Sequence, residues 1–298
     1  MRASLACLLA LVACFAGAPV ARAEDPAPTQ QQTLIASRVD SVVSVKMTLQ
    51  VSFTMGGALR ENESNQTTTG IVVDSRGLIM LPAELFSPNL DARFRSMLSD
   101  LKITPSSIRV VFPGDPKEYP AILGAKDSKL GLAFVLIRDL EGRAAKPLDL
   151  SRRATPRVGD TIYGVTRLGQ DFDHAPLCSA ATVVSEITRP RACWALDDAG
   201  RYIAEPMYTL DGAVTGVVVR QEGVGEDADT QNCLLPLDIV ESTIGRSMKA
   251  AERALEDVLA AEAEAAAAGE TPGEPKEPAT PEQPEQPEEP EGEGDEIK

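Results

Sequence analysis

The feature that most constrains the fold is a strict alternation of apolar and polar residues early in the chain. From residue 43 to residue 54 every odd position is apolar and every even position is polar. Successive side chains of a β-strand point to opposite faces, so this pattern predicts a strand with one buried face. An amphipathic helix needs a different spacing, and the segment therefore indicates a β-protein.

Short apolar runs separated by turn residues continue to about residue 236. The runs at 71–73 and 78–81 flank Asp-Ser-Arg-Gly at 74–77, which predicts a β-hairpin. The polar stretch 61–69 predicts a loop, and the composition of 91–101 predicts an inserted helix or ordered loop. Many short strands at this density favour an all-β sandwich or barrel.

The first 23 residues read as a signal peptide. Arg2 precedes an apolar run at 5–18, and Ala-Arg-Ala at 21–23 matches a cleavage site. The run is shorter than the roughly 20 residues of a membrane span, which predicts no transmembrane segment. A lipid anchor at Cys14 is the alternative, because residues 11–14 resemble a lipobox. Residues 24–34 are interpreted as an N-terminal linker.

Export would leave the mature chain with three cysteines in an oxidising compartment. Cys178 and Cys193 are the candidate disulfide with the shorter loop, and Cys233 would then remain free. The sequence does not choose among the three pairings.

The C-terminal end divides into a helix and a tail. Apolar residues recur at helical spacing in 237–268, which predicts a helix whose first half docks on the body. From residue 269 the chain is mostly Glu, Pro, Gln and Gly, and prolines recur every third position from 272 to 290. This acidic composition predicts a disordered tail, and the alternative is an extended docking strand for a partner.

Charge and histidine content exclude several functions. The net charge of −16 and the pI near 4.6 argue against nucleic-acid binding, which needs a basic surface. His174 is the one histidine, so a multi-histidine metal site cannot form. We expect no metal and no cofactor.

Five segments, taken in chain order, resemble the exported trypsin-like serine proteases of the HtrA/Deg type. They are Thr69-Gly70-Ile71-Val72-Val73-Asp74-Ser75-Arg76-Gly77-Leu78-Ile79-Met80-Leu81, Asp127-Ser128-Lys129-Leu130-Gly131-Leu132-Ala133-Phe134-Val135, Val158-Gly159-Asp160, Pro206-Met207-Tyr208-Thr209-Leu210-Asp211-Gly212-Ala213-Val214-Thr215-Gly216-Val217 and Leu234-Leu235-Pro236-Leu237-Asp238. The resemblance covers about residues 35–245. It implies two packed antiparallel six-stranded β-barrels over 35–236, with an active-site cleft between them.

The resemblance also locates the family's catalytic triad, and each position carries another residue. Glu84 stands at the histidine, Gly131 at the aspartate and Ile203 at the nucleophilic serine. Isoleucine has no proton to lose and no lone pair to attack with, so the serine-protease mechanism has no starting point.

The loop that supplies the family's oxyanion hole is rewritten as well. Arg201, Ala204 and Glu205 replace residues of its glycine-rich sequence. PDZ modules, which usually follow the protease domain in this family, are replaced by the helix and tail. We therefore expect a catalytically inactive, exported protein that binds a protein or peptide in the bacterial periplasm or outside the cell, as a scaffold or regulator of the envelope.

Two alternatives remain. The first is a hydrolase of the same fold that uses other residues, with His174 and Cys178 as the nucleophilic pair most worth testing. The second is a structural envelope protein whose Pro/Glu tail docks a partner. The paired acids Asp197-Asp198 and Asp171/Asp173 carry no EF-hand pattern and are interpreted as solvated loops.

Overall fold

The computed structural model describes residues 27–55, 58–86, 99–197, 203–222 and 230–267. The predicted all-β fold is confirmed: the body forms two closed antiparallel barrels of six strands each, followed by a C-terminal helix. The first barrel contains β1 (Val42–Met55), β2 (Ala58–Asp74), β3 (Leu78–Pro82), β4 (Ser99–Val111), β5 (Glu118–Asp127) and β6 (Leu132–Ile137). The second contains β7 (Thr161–Arg167), β8 (Pro176–Ile187), β9 (Cys193–Leu196), β10 (Pro206–Tyr208), β11 (Val214–Glu222) and β12 (Thr230–Leu235). The helices are α1 (Gln30–Arg38) and α2 (Leu237–Ala267).

The two barrels have the same strand order. The first closes as β1-β2-β3-β6-β5-β4 and the second, followed in the same direction, as β7-β8-β9-β12-β11-β10. Each strand of one barrel therefore has a counterpart six strands away in the other. The hydrophobic pattern of the sequence does not predict this repeated strand order, because corresponding strands differ in length and sequence.

Three hydrophobic clusters hold the body together. The interior of the first barrel includes Val45, Ile79 and Val135, each fully buried. The interior of the second is smaller and centres on Met207 and Val218. The third cluster takes its residues from the outer faces of both barrels and from both helices, so burial of apolar surface joins the barrels into one unit.

The β1–β2 hairpin is much longer than the sequence predicts. Its register runs without interruption from Val42 opposite Ile71 to Met55 opposite Ala58. The loop predicted at 61–69 is wrong, because these residues are part of β2. Most of them are exposed. A strand that buries neither face shows no apolar alternation, and this is why the sequence pattern missed it.

The linker predicted for 24–34 is wrong from residue 30 onward, where α1 begins. Thr29 and Gln32 form a capping box: the Gln32 amide donates to Thr29 Oγ1 (3.2 Å) and the Thr29 amide to Gln32 Oε1 (2.7 Å). Leu34 is buried in the central cluster, and Arg38 Nη2 donates to the Gly212 carbonyl at 2.7 Å. The helix thus packs on the second barrel although it leads into the first.

The predicted C-terminal helix is confirmed over Leu237–Ala267, and residue 268 lies outside the described residues. Its first half docks on the body through buried positions that include Val240, Met248 and Ala251. A Cβ on Gly124 of β5 would lie 2.3 Å from the Ala251 Cβ, so only glycine permits this approach. The compact unit that includes both barrels ends at Leu255, and Glu256–Ala267 belongs to a second unit.

The segment between the barrels is bonded to both of them. The Leu148 amide donates to the Val72 carbonyl of β2 at 2.8 Å. Ala154 and Arg152 bond to the backbone of Val214 at the start of β11, each at 2.9 Å. The connection is therefore an ordered strap across the junction of the barrels.

Several sequence predictions fall outside the described residues. These are the signal peptide at 1–23 with Cys14, most of the segment 91–101, and the tail at 269–298; residues 99–101 belong to β4. Within the described ranges, no helix is both long and apolar enough to cross a bilayer.

Candidate functional site

The residue at the family's histidine position, Glu84, lies in a short 3₁₀ turn (Ala83–Leu85) directly after β3. Pro82 ends the strand, and the Ala83 amide donates to the Gly131 carbonyl at 2.8 Å. This backbone hydrogen bond holds the first two triad-equivalent positions next to each other, although 47 residues separate Glu84 from Gly131 in the sequence.

Gly131 has φ = +67° and precedes β6. An ideal Cβ at Gly131 would lie 3.3 Å from the Arg220 Cβ on β11. The Arg220 guanidinium reaches past the glycine to the carboxylate of Glu84, where Nη1 and Oε1 are 2.5 Å apart. Their geometry is that of an ion pair without hydrogen-bond alignment.

The third position, Ile203, lies in a tight turn that is bonded to β11. The Ala204 amide donates to the Val218 carbonyl at 2.8 Å, and the Val218 amide donates to the Glu205 carbonyl at 2.9 Å. Ala204 has φ = +67°, a left-handed conformation that costs a non-glycine residue about 1 kcal/mol. Arg201 lies outside the described residues.

The structure therefore brings the three triad-equivalent positions to one junction between the barrels. Val218, which binds the Ile203 turn, and Arg220, which pairs with Glu84, are two residues apart on β11, about 7 Å along a strand. The first barrel contributes Glu84 and Gly131, and the second contributes the turn and Arg220. The junction offers an ion pair and an aliphatic side chain, and none of these groups is a nucleophile.

Glu205 is the most perturbed acid at this junction. Burial raises the pKa of its carboxyl to about 7, against an opposing hydrogen bond from Thr166. Within the described part of the chain, Oε2 of Glu205 and Oγ of Ser179 are both buried without a hydrogen-bond partner. Both face Gly164, whose ideal Cβ would lie 3.6 Å from that Oε2 and 2.9 Å from that Oγ.

His174 also contacts the first barrel and does not pair with Cys178. Its Nδ1 is 3.1 Å from Oγ of Ser44, a buried residue of β1. Asp173 and His174 both have left-handed backbone conformations (φ = 52° and 51°). The loop of the second barrel is thus tied to a strand of the first through one side-chain hydrogen bond.

The structure does not support Cys178 as a nucleophile. Its Sγ lies 3.9 Å from the Ser179 carbonyl, and burial raises the pKa of the thiol, which disfavours the reactive thiolate. The hydrogen-bond partner of His174 is Ser44.

The candidate disulfide between Cys178 and Cys193 is wrong. In the structure Cys178, Cys193 and Cys233 are all in the reduced form, so the positions of the residues decide which pairing is possible. Cys178 pairs with Val165 on β7, whereas Cys193 pairs with Ile187 at the far end of β8. The two positions are nine residues apart along β8, roughly 30 Å, and a disulfide needs Cα atoms within about 7 Å.

Of the paired acids, Asp171, Asp173 and Asp197 lie outside the strands of both barrels. Asp197 accepts from the Thr182 amide at 2.7 Å, and Asp171 and Asp173 are exposed. Asp198 is outside the described residues. Among the residues described, no group of three His, Cys, Asp or Glu side chains converges on a common point.

The sequence analysis did not predict two residues that contact the candidate site residues from distant parts of the chain. Arg220 is 136 positions from its partner Glu84, and Ser44 is 130 positions from His174. Neither belongs to a motif, so only the fold reveals them. The left-handed conformation at Ala204 was predictable, because the resembled family has a glycine at this position.

Comparison with protein-family models finds none that matches this chain, and comparison with curated proteins finds no relative. The resemblance to a known family therefore rests on the five sequence motifs alone.

Proposed function

We propose that this protein is a catalytically inactive homologue of the trypsin-like proteases of the HtrA type that binds other proteins. One observation carries the proposal. The three positions at which the resembled family has its triad lie at one junction between two barrels of equal strand order, and they are occupied by Glu84, Gly131 and Ile203.

The chemistry of these residues argues against peptide hydrolysis at this junction. A serine hydroxyl attacks only when an imidazole takes its proton and an aspartate orients that imidazole. Here the guanidinium of Arg220 neutralises the carboxylate of Glu84, and no hydroxyl stands at Ile203. The groups that remain can position a partner through charge and apolar contact but cannot cleave it.

The long β1–β2 hairpin offers a surface for such a partner. On its outer side β2 pairs with β3 only from Ile71 to Asp74, so within the described residues the edge from Ala58 to Gly70 has no neighbouring strand. An open strand edge binds an extended peptide by backbone hydrogen bonds. Glu61 and Glu63 lie on this segment and are exposed.

The sequence supports an extracytoplasmic location for this function. The apolar run after Arg2 and the Ala-Arg-Ala site at 21–23 have the form of a secretory signal. We propose a bacterial periplasmic or secreted protein, with lipidation at Cys14 as the alternative form. We propose a scaffold or regulatory role in the envelope, which would fit export combined with lost catalysis.

The loss of catalysis is tested by labelling the purified protein with a fluorophosphonate that reacts with activated serines, together with a casein digestion assay. We expect neither labelling nor digestion, with trypsin as the positive control. Labelling that disappears in Ser44→Ala would overturn the proposal in favour of a hydrolase.

Partner binding is tested by placing a photocrosslinking amino acid at Glu63 on the open edge and at Lys129 beside Gly131. The matched control is Lys146, another exposed surface position. We expect the same adduct from Glu63 or Lys129 after irradiation of whole cells and none from Lys146. Equal crosslinking at all three positions would contradict a specific site.

The hydrolase alternative has one observation in its favour, the 3.1 Å contact between Ser44 Oγ and His174 Nδ1. A serine with an imidazole is a known nucleophile and base. However, Ser44 is only 6% exposed and lies in the middle of a strand paired on both sides. We therefore interpret the contact as a tether between the barrels.

A further inference from the structure

We propose that Cys193 and Cys233 form a disulfide that links β9 to β12 on the outer face of the second barrel. Both side chains are buried in the central hydrophobic cluster, at 2% and 0% exposure. They belong to adjacent antiparallel strands. The proposal follows from the fold and does not depend on the protein-binding function proposed above.

The register places the two cysteines on the same face of the sheet. Cys233 is directly opposite Ala195, and Leu234 is opposite Trp194. Cys193 is two residues from Ala195 and therefore a diagonal neighbour of Cys233. Diagonal neighbours on one face of a sheet lie about 7–8 Å apart, with their Cβ atoms somewhat closer, so the two side chains can touch and a small approach of the strands would allow a bond.

A contact with a third strand locates the Cys193 sulfur more closely. Cys193 Sγ is 3.7 Å from Oε1 of Gln221 on β11. Because β12 lies between β9 and β11, a sulfur in contact with both β9 and β11 must lie over β12. Cys233 is the residue of β12 that faces this point, since it pairs with Val219 on one side and Ala195 on the other.

The environment of the two thiols agrees with this position. A hydrogen bond from the Cys233 thiol lowers the pKa of Cys193, and the same bond together with burial raises the pKa of Cys233. The Arg191 charge also lowers the pKa of Cys193. A pair with one acidic thiol is the arrangement that disulfide exchange requires, because the thiolate is the nucleophile.

The proposed disulfide would strengthen the contact between β9 and β12. Of the described residues, only two pairs join β9 to β12, so this seam closes the second barrel with few hydrogen bonds. A seam held this loosely can also draw together by the small distance that an S–S bond needs. The segment between the two cysteines, 193–233, includes the Ile203 turn and Arg220. The disulfide would therefore fix both ends of the segment that the second barrel contributes to the candidate site.

The reaction is a thiol–disulfide exchange with a disulfide-bearing oxidant such as oxidised glutathione. The Cys193 thiolate attacks one sulfur of the oxidant and releases one thiolate. The Cys233 thiolate then attacks the mixed disulfide at Cys193 and releases the second. Two protein thiols lose two protons and two electrons, and the oxidant is reduced to two thiols.

Peptide mapping of the full chain gives a direct test, because trypsin places Cys178, Cys193 and Cys233 on three separate peptides and leaves Cys7 and Cys14 together on a fourth, 3–22. Cleavage after Arg and Lys, but not at Arg189-Pro190, yields 168–191, 192–201 and 221–246. The reduced, unfolded full chain is refolded with reduced and oxidised glutathione, alkylated with iodoacetamide and digested without reductant. We expect one peptide in which 192–201 is linked to 221–246, with Cys178 alkylated on 168–191.

Two variants serve as controls. Cys178→Ser should retain the 192–201 to 221–246 link, whereas Cys193→Ala should lose it and leave Cys233 alkylated. Reductant should lower the thermal midpoint of the wild type by several degrees and leave that of the Cys193→Ala/Cys233→Ala double variant unchanged. Complete alkylation of all three cysteines after refolding, or a link that includes Cys178, would overturn the proposal.

Discussion

The two barrels share one strand order but are held together differently. In the first barrel, β1 and β2 form fourteen consecutive residue pairs, and a large apolar interior fills the barrel. In the second barrel, the β9–β12 and β7–β10 seams show two pairs each, and the interior cluster is much smaller. The same topology can therefore be stabilised mainly from within or mainly by what packs on its outside.

This difference bears on the candidate site, which takes its residues from both barrels. Glu84 and Gly131 are fixed by the extensive ladders of the first barrel. The Ile203 turn and Arg220 depend on the second, which α1, α2 and the inter-barrel strap support from outside. We expect substitutions in the second barrel to have the larger consequences, and four predictions test this in order of decreasing effect.

The largest effect is expected from Gly216→Ala in β11, compared with Gly70→Ala in β2. The new Cβ at Gly216 would lie 2.5 Å from the Leu235 carbonyl oxygen, a backbone atom, whereas at Gly70 it would meet methyl groups of Ile79 and Leu81 at 2.6 and 2.7 Å. Side chains can rotate away and a paired strand cannot. We expect losses of about 3 and about 1 kcal/mol respectively in urea unfolding. Equal losses would show that the second barrel accommodates an added methyl group as easily as the first.

The next effect concerns Glu205 and is a dependence of stability on pH. Because burial raises its pKa from the ordinary 4.5 to about 7, the folded protein binds a proton that the unfolded chain has already released. The stabilisation that comes from this bound proton is fully present below about pH 4.5 and is lost as the pH rises through 7. The free energy of unfolding should fall by up to about 3 kcal/mol over this range.

Urea unfolding at pH 5 and pH 8 measures this loss, and Glu205→Gln should reduce it. The control is Glu186→Gln, an exposed acid of β8, which should leave the pH dependence as in the wild type. The same pH profile in wild type and Glu205→Gln would argue against a buried carboxyl.

Docking of α2 on the first barrel is tested by Gly124→Val. The valine would collide with Cβ and Cα of Ala251, which lie 2.3 and 2.8 Å from the Cβ position. We expect a loss of about 2 kcal/mol and faster tryptic cleavage at Lys249 and Arg253. Gly245→Ala is the control, because this helical glycine has open space around it. It should stabilise the protein by up to about 1 kcal/mol.

The smallest effect is expected from Glu84→Gln, which breaks the ion pair across the junction. The Glu84 and Arg220 side chains are 39% and 26% exposed. Water and salt screen such pairs, so the unfolding free energy should fall by less than about 1 kcal/mol at low salt and by still less at high salt. A loss above about 2 kcal/mol would mean that this pair, rather than apolar packing, joins the barrels.

Local patterns in the sequence predicted elements that bury one face. The alternation at 43–54 predicted β1, the Asp-Ser-Arg-Gly turn predicted the β2–β3 hairpin, and the helical spacing after residue 237 predicted α2. The exposed part of β2 was missed because it buries neither face. The capping box at Thr29 and Gln32 was present in the sequence and overlooked, so α1 was predictable.

The candidate site was predictable only in part. The resemblance of the motifs to a protease family pointed to Glu84, Gly131 and Ile203. The same resemblance implied that these three residues lie close together in the fold. Arg220 and Ser44 could not be found, because each acts on a residue more than 100 positions away and no periodicity records such a pair. The burial of Glu205 likewise depends on β7 and β8, which pack around a turn far from them in sequence.

The position of α1 has a consequence for the order in which the chain folds. Its Arg38 bonds to Gly212, 174 positions later, on a surface that exists only once β10 and β11 are in place. The strands of the first barrel end at Ile137, so that barrel has all its strands while α1 still has nothing to pack against. Docking of α1 therefore requires the second barrel, so we expect it to follow the folding of both barrels.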